Sequence, residues 1–122
     1  MFLREISMWT YSKREILELK PEFELAFKTN LIRDYENDWE WIWNGENSTD
    51  KINISREHNW KTGEFSKPLR INISWNPNES DKNTIINKIQ SVMKSDLHFG
   101  TISNRGMNKE DYQVTKTIKY ET

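Results

Sequence analysis

Two histidines, His58 and His98, are the side chains best suited to acid–base or metal chemistry near neutral pH. They stand 40 residues apart, with no second histidine or acid at a spacing that marks a metal site. The chain has no cysteine, which excludes thiolate catalysis, cysteine-based zinc sites and a disulfide framework. Its four glycines, Gly45, Gly63, Gly100 and Gly106, are scattered singly, so no glycine-rich loop is present to cradle phosphate. Asp38 and Glu40 are a carboxylate pair of the kind that performs acid–base work in a cleft. Among 19 acids such pairs arise by chance. These residues predict a protein that is not an enzyme and needs neither metal nor cofactor.

Recognition chemistry is better represented. Six acids (Asp34, Glu36, Asp38, Glu40, Glu46 and Asp50) occupy residues 34 to 50 with no base among them, although the net charge of the whole chain is only −1. The remainder holds 18 bases against 13 acids. Within the acidic stretch, Trp39, Trp41 and Trp43 alternate with other residues, so in a strand the indoles take one face, and Asp38 and Glu40 take the other. Carboxylates beside aromatic anchors suit a basic protein partner: charge steers the encounter and desolvated rings hold the complex. Asp34, Tyr35, Glu36, Asp38, Glu40, Glu46 and Asp50 are therefore the expected partner-binding residues. The competing structural reading makes these acids solvated strand and turn residues and the tryptophans core. Direct nucleic-acid binding is disfavoured, because no basic cluster exceeds two neighbouring charges and the isoelectric point is about 6.1.

The elements that must position these residues follow from periodicity. Phe2 to Tyr11 reads as a strand. Ser12 and Glu15 have capping-box spacing before Ile16, Leu17 and Leu19, a short helix expected to stop before Pro21. Residues 22–37 carry two patterns: Phe23, Leu25 and Phe27 alternate, whereas Phe23, Phe27, Leu31, Tyr35 and Trp39 recur every four residues. The longer column favours a helix from Pro21 to about Asn37. Asp38 to Trp43 reads as a strand, Asn44-Gly45 as a turn signal, and Lys51 to Ser55 as its hairpin partner. Arg70 to Trp75 follows the loop Glu57 to Pro68. Ser80 is the expected cap of a helix over Asp81 to Lys94, buried on Ile85, Ile86, Ile89, Val92 and Met93. His98 to Ser103 is a short strand, Asn104-Arg105-Gly106 a turn, and Tyr112 to Tyr120 a final strand. The expectation is one α+β domain over residues 1–122, with a mainly antiparallel sheet of about five to six strands packed against two to three helices.

Composition is compatible with such a core. Hydrophobic residues make only 34% of the chain and the mean hydropathy is −0.93. Aromatics supply 12%, each burying a large area. The N-terminal residues Met-Phe-Leu-Arg-Glu-Ile-Ser place charges where a signal peptide needs an unbroken apolar run, and no stretch reaches membrane-spanning length, so a cytoplasmic location is expected.

With its acidic, tryptophan-rich run from Asp34 through Gly45, its size, its lack of cysteine and its Asn/Ile/Lys-rich composition, the chain resembles the small immunity proteins of bacterial toxin systems, including contact-dependent growth inhibition. The resemblance is one of kind and rests on no single motif. It implies a cytoplasmic antitoxin that binds a cognate toxin domain, often a nuclease, by tight protein–protein interaction. Two alternatives stand beside it: a ligand-binding, carbohydrate-binding or enzymatic domain with a Trp-lined pocket containing His58 or His98, and an accessory interaction protein with no toxin involved.

Overall fold

Alternating apolar residues dominate the centre of the molecule. In the computed structural model, which describes residues 3–34, 40–46, 50–57, 61–62 and 65–121, Leu69, Ile71, Ile73 and Trp75 are buried along one strand while the residues between them are half-buried. The elements run β1 (Arg4–Thr10), α1 (Ile16–Phe27), β2 (Ile32–Asp34), β3 (Glu40–Glu46), β4 (Asp50–Glu57), β5 (Lys61–Thr62), β6 (Phe65–Ser66), β7 (Leu69–Trp75), α2 (Lys82–Met93), β8 (Leu97–Ile102) and β9 (Tyr112–Ile118). Among the described residues, seven strands form one sheet in the order β2-β3-β4-β7-β1-β8-β9, with every neighbouring pair antiparallel. Strands β5 and β6 pair separately.

One core lies between this sheet and both helices. Met8, Ile52, Ile54, Ile71, Ile73 and Leu97 from the strands meet Ile16, Leu19, Phe23 and Phe27 of α1 and Ile85, Ile89 and Met93 of α2. The result is a two-layer α+β fold of the expected class: both α-helices lie on one face, and among the described residues the other face carries no α-helix, only the short 3-10 turns at Asn104–Gly106 and Lys109–Asp111 beside Arg70 and Tyr112. A buried Arg56 ties the β1–α1 connection to the sheet, its guanidinium donating to the carbonyls of Arg14 (2.7 Å) and Ser12 (2.9 Å). Burial pushes its pKa down to about 10, against the opposing effect of nearby Glu15.

Several local expectations are corrected. Helix α1 is continuous through Pro21 and ends at Phe27, so the helix expected from Pro21 to Asn37 does not form. Ile16, Leu19, Phe23 and Phe27 make a single buried stripe, and their packing outweighs the local cost of an interior proline. Lys28 then turns left-handed at φ 51, and the Glu24 carboxylate accepts from the Leu31 N–H at 2.8 Å, directing the chain into β2. Leu31 is buried, but beyond the helix; Tyr35 and Trp39, the last members of the column, lie outside the described residues. Ser12 and Glu15 form no capping box: Glu15 caps without a side-chain bond, and Ser12 Oγ accepts from the Arg14 N–H. Asp81, not Ser80, caps α2 by accepting from the Thr84 N–H at 2.7 Å. Asn44 and Gly45 continue β3 instead of turning. A Cβ at Gly45 would lie 2.9 Å from side-chain atoms of Thr29 and Leu31, so the glycine admits the post-helix segment against the strand.

Candidate functional site: the helix-free face of the sheet

The acidic residues are placed by backbone register. Asp34 ends β2 opposite Ile42, Glu40 opens β3 opposite Glu57, and Glu46 closes β3 opposite Lys51. Glu40 and Glu46 therefore stand at opposite ends of β3, roughly 20 Å apart at strand rise, with Asp34 two rows from Glu40. Asp50 opens β4 opposite Trp75 and is only 6% exposed, so it is a buried carboxylate and no part of an open patch. Tyr35, Glu36 and Asp38 lie outside the described residues, as does His58.

Beside β3 the face away from the helices is polar. Strand alternation puts Lys51 and Asn53 of β4, Asn72 and Ser74 of β7, and Glu5 and Ser7 of β1 on it. Asn72 Nδ2 bonds Asn53 Oδ1 at 3.4 Å across the central strands. Glu5, Ser7 and Lys51 are exposed. Farther along, Lys67 forms an ion pair with Glu57, which is itself buried.

The β1–β8–β9 end of the same face is aromatic. Trp9 pairs in register with His98, and its ring meets His98 at 6.4 Å and Tyr112 edge-on at 5.5 Å. Tyr11, 43% exposed, packs edge-on against His98 at 5.7 Å. Tyr112 reaches this cluster because β9 carries one extra residue: Phe99 pairs with Lys116 but Gly100 with Val114. That bulge reverses the alternation of β9. A Cβ at Gly100 would lie 1.8 Å from the Gln113 carbonyl oxygen, so the bulge depends on glycine.

A tight loop completes this end. Asn104, Arg105 and Gly106 all have positive φ (47, 62 and 70). Such a run persists only where surrounding bonds over-determine it. Arg70 Nη2 donates to the Arg105 carbonyl and to the Tyr112 hydroxyl (3.1 Å), and that hydroxyl donates to the Gly106 carbonyl at 2.9 Å. The Asp111 carboxylate accepts from the Asn108 N–H at 2.9 Å and from Asn104 Nδ2 at 3.1 Å, which holds its pKa below the usual carboxylate range. The loop exposes Arg105, Met107 and Lys109. Burial raises the pKa of both Tyr11 and Tyr112, so both phenols stay neutral at physiological pH.

His98 Nδ1 lies 2.9 Å from Thr117 Oγ1, which fixes the imidazole against β9. Among the described residues no three His, Asp or Glu side chains gather as a metal site, and no helix is long and apolar enough to cross a membrane. The aromatic end has little trace in the sequence, because the bulge that turns Tyr112 inward has no residue signature of its own. The signals that do exist are the Asn104-Arg105-Gly106 turn and the polar alternation Arg70-Asn72-Ser74.

Fold and site together define an α+β protein with a sheet face that, among the described residues, carries no α-helix and is edged by acidic strand positions and an ordered aromatic cluster. Comparison with protein-family models, curated proteins and solved structures gives no match.

Proposed function

We propose that this chain is a non-catalytic, cytoplasmic binding protein that neutralises a cognate bacterial toxin domain by high-affinity protein–protein interaction. The observation that carries the reading is the helix-free sheet face. It joins acidic positions on β2 and β3, namely Asp34, Glu40 and Glu46, to an end that exposes Tyr11, Arg105 and Met107 beside the buried Trp9 and Tyr112, and tyrosine, arginine and methionine are residue types enriched at protein interfaces. Tyr35, Glu36 and Asp38 belong to the same partner-facing set by sequence. Asp50, being buried, is left out of the proposed contact set. The acids attract a basic toxin surface, and docking there covers or distorts the toxin's active site.

Co-expression tests this directly. The protein encoded next to this chain in its genome is produced with and without it in a heterologous bacterium. Growth arrest by the neighbour alone, relieved by this chain and accompanied by a stable purified complex, is the expected result. A neighbour that is harmless, or whose toxicity this chain leaves untouched without forming a complex, refutes the reading.

A further inference from the structure

Away from the helix-free face, a cavity of about 340 Å³ opens where β1 begins, β7 ends and α2 starts. Its volume falls within the range of small-molecule sites. Leu3, Arg4, Glu5, Ile6, Trp75 and Lys82 line it. Register places Arg4 opposite Trp75 and Ile6 opposite Ile73, so both share the helix side with the indole, whereas Glu5 pairs with Ser74 and alternation directs it to the other face. Trp75 is 2% exposed, and its Nε1–H is buried with no hydrogen-bond partner among the described residues. A buried donor left unpaired is unfavourable, and an acceptor brought in by a ligand relieves it.

The charge at the mouth is positive. Arg4 and Lys82 are exposed, and among the described residues neither is ion-paired. Lys82 begins a 12-residue helix whose N-terminus adds a partial positive charge. Asp81 offsets part of it, with its carboxylate engaged by the Thr84 N–H. Asp50 meets Trp75 from the opposite flank, through β4. Leu3, Ile6 and the indole supply an apolar wall. We infer that this cavity binds a small carboxylic acid with an apolar body, its carboxylate held by Arg4 and Lys82 and its ring or chain against Ile6 and Trp75. The site stands independently of toxin neutralisation.

Benzoate is the probe, with benzamide as its uncharged isostere and inorganic phosphate as an anion without the apolar body. In ¹⁵N-labelled protein the six tryptophans contribute six indole N–H resonances, and Trp75→Phe assigns that of Trp75. Benzoate is expected to shift the Trp75 resonance saturably with a Kd on the order of a millimolar, while benzamide and phosphate leave it in place. An Arg4→Gln/Lys82→Gln double variant is expected to weaken benzoate by about tenfold or more, with the other indole resonances unmoved. The inference is overturned if the Trp75 resonance does not respond to benzoate, if benzamide or phosphate shifts it equally, or if the double variant binds as tightly as the parent. The double variant alters only exposed side chains, and backbone-linked triple-resonance assignment of the parent identifies the Trp75 indole independently, so the test does not depend on whether Trp75→Phe folds.

Discussion

Gly106 has no room for a side chain. A Cβ there would lie 2.3 Å from both Arg70 Nη2 and the Tyr112 hydroxyl, at a φ of 70 that L-residues resist. Gly106→Ala should therefore cost about 3 kcal/mol, combining left-handed strain with overpacking, measurable as a lowered urea midpoint with unchanged m-value. A loss below half a kcal/mol would mean that the Arg70–Tyr112 staple is looser than the geometry indicates. Glu24 makes a second prediction, in its pH dependence. Burial alone would raise its pKa, but the Leu31 N–H and the Lys20 ammonium at 3.0 Å outweigh that and bring it below its ordinary value. A carboxylate whose folded pKa is depressed stabilises the fold above its unfolded value and loses that contribution as pH falls through the folded one. Glu24→Gln should thus be less stable than the parent at pH 7, the difference closing in acid once the parent carboxylate is protonated. A deficit that is constant from neutral to acid pH would assign Glu24 a packing role only.

Helix α1 shows how far element boundaries follow from local rules. The burial stripe Ile16, Leu19, Phe23 and Phe27 is present in the sequence, but Pro21 sits inside it and argues for a break. Pro21 has no N–H for the Leu17 carbonyl, so the helix survives by tertiary packing despite a missing bond. Pro21→Ala should accordingly raise stability by about 1–3 kcal/mol, seen as a higher Tm with unchanged circular dichroism. No gain would place the compensation in the ring's own contacts. Strand β7, helix α2 and the alternation within β4 were legible, because their buried faces coincide with strict periods of two or 3.6. Strand β2 was not: the column from Phe27 to Leu31 keeps helical spacing, while the left-handed turn at Lys28 and the Glu24–Leu31 bond that end the helix depend on tertiary context. Gly45 misled for a related reason, since Asn-Gly is a turn signal in isolation and a close-approach glycine here. For the candidate site, sequence located the acidic strand but not the aromatic end, which exists only once the β9 bulge and the loop from Ser103 to Asp111 are folded together.

At the scale of the molecule, the sheet's edges and its open face play different parts. Strand β2 is three residues long and carries Arg33, while β9 carries Lys116 beside its bulge. Short, charged or bulged edges resist strand addition, so a partner is expected to dock on the face and not to extend the sheet. Electrostatic steering by that face then makes a kinetic prediction separable from folding. Reversing Asp34, Glu40 and Glu46 together to lysine should slow association with the proposed partner by about 10–100-fold at low salt, with the gap narrowing as ionic strength rises. Asp50→Asn should behave in the opposite sense, because its carboxylate is buried opposite Trp75: lower Tm and an unaltered association rate. Stopped-flow association at several salt concentrations, alongside thermal denaturation of each variant, separates the two. An association rate that ignores the triple reversal at low salt would remove the acidic strand from the docking surface and leave the aromatic end as the sole anchor.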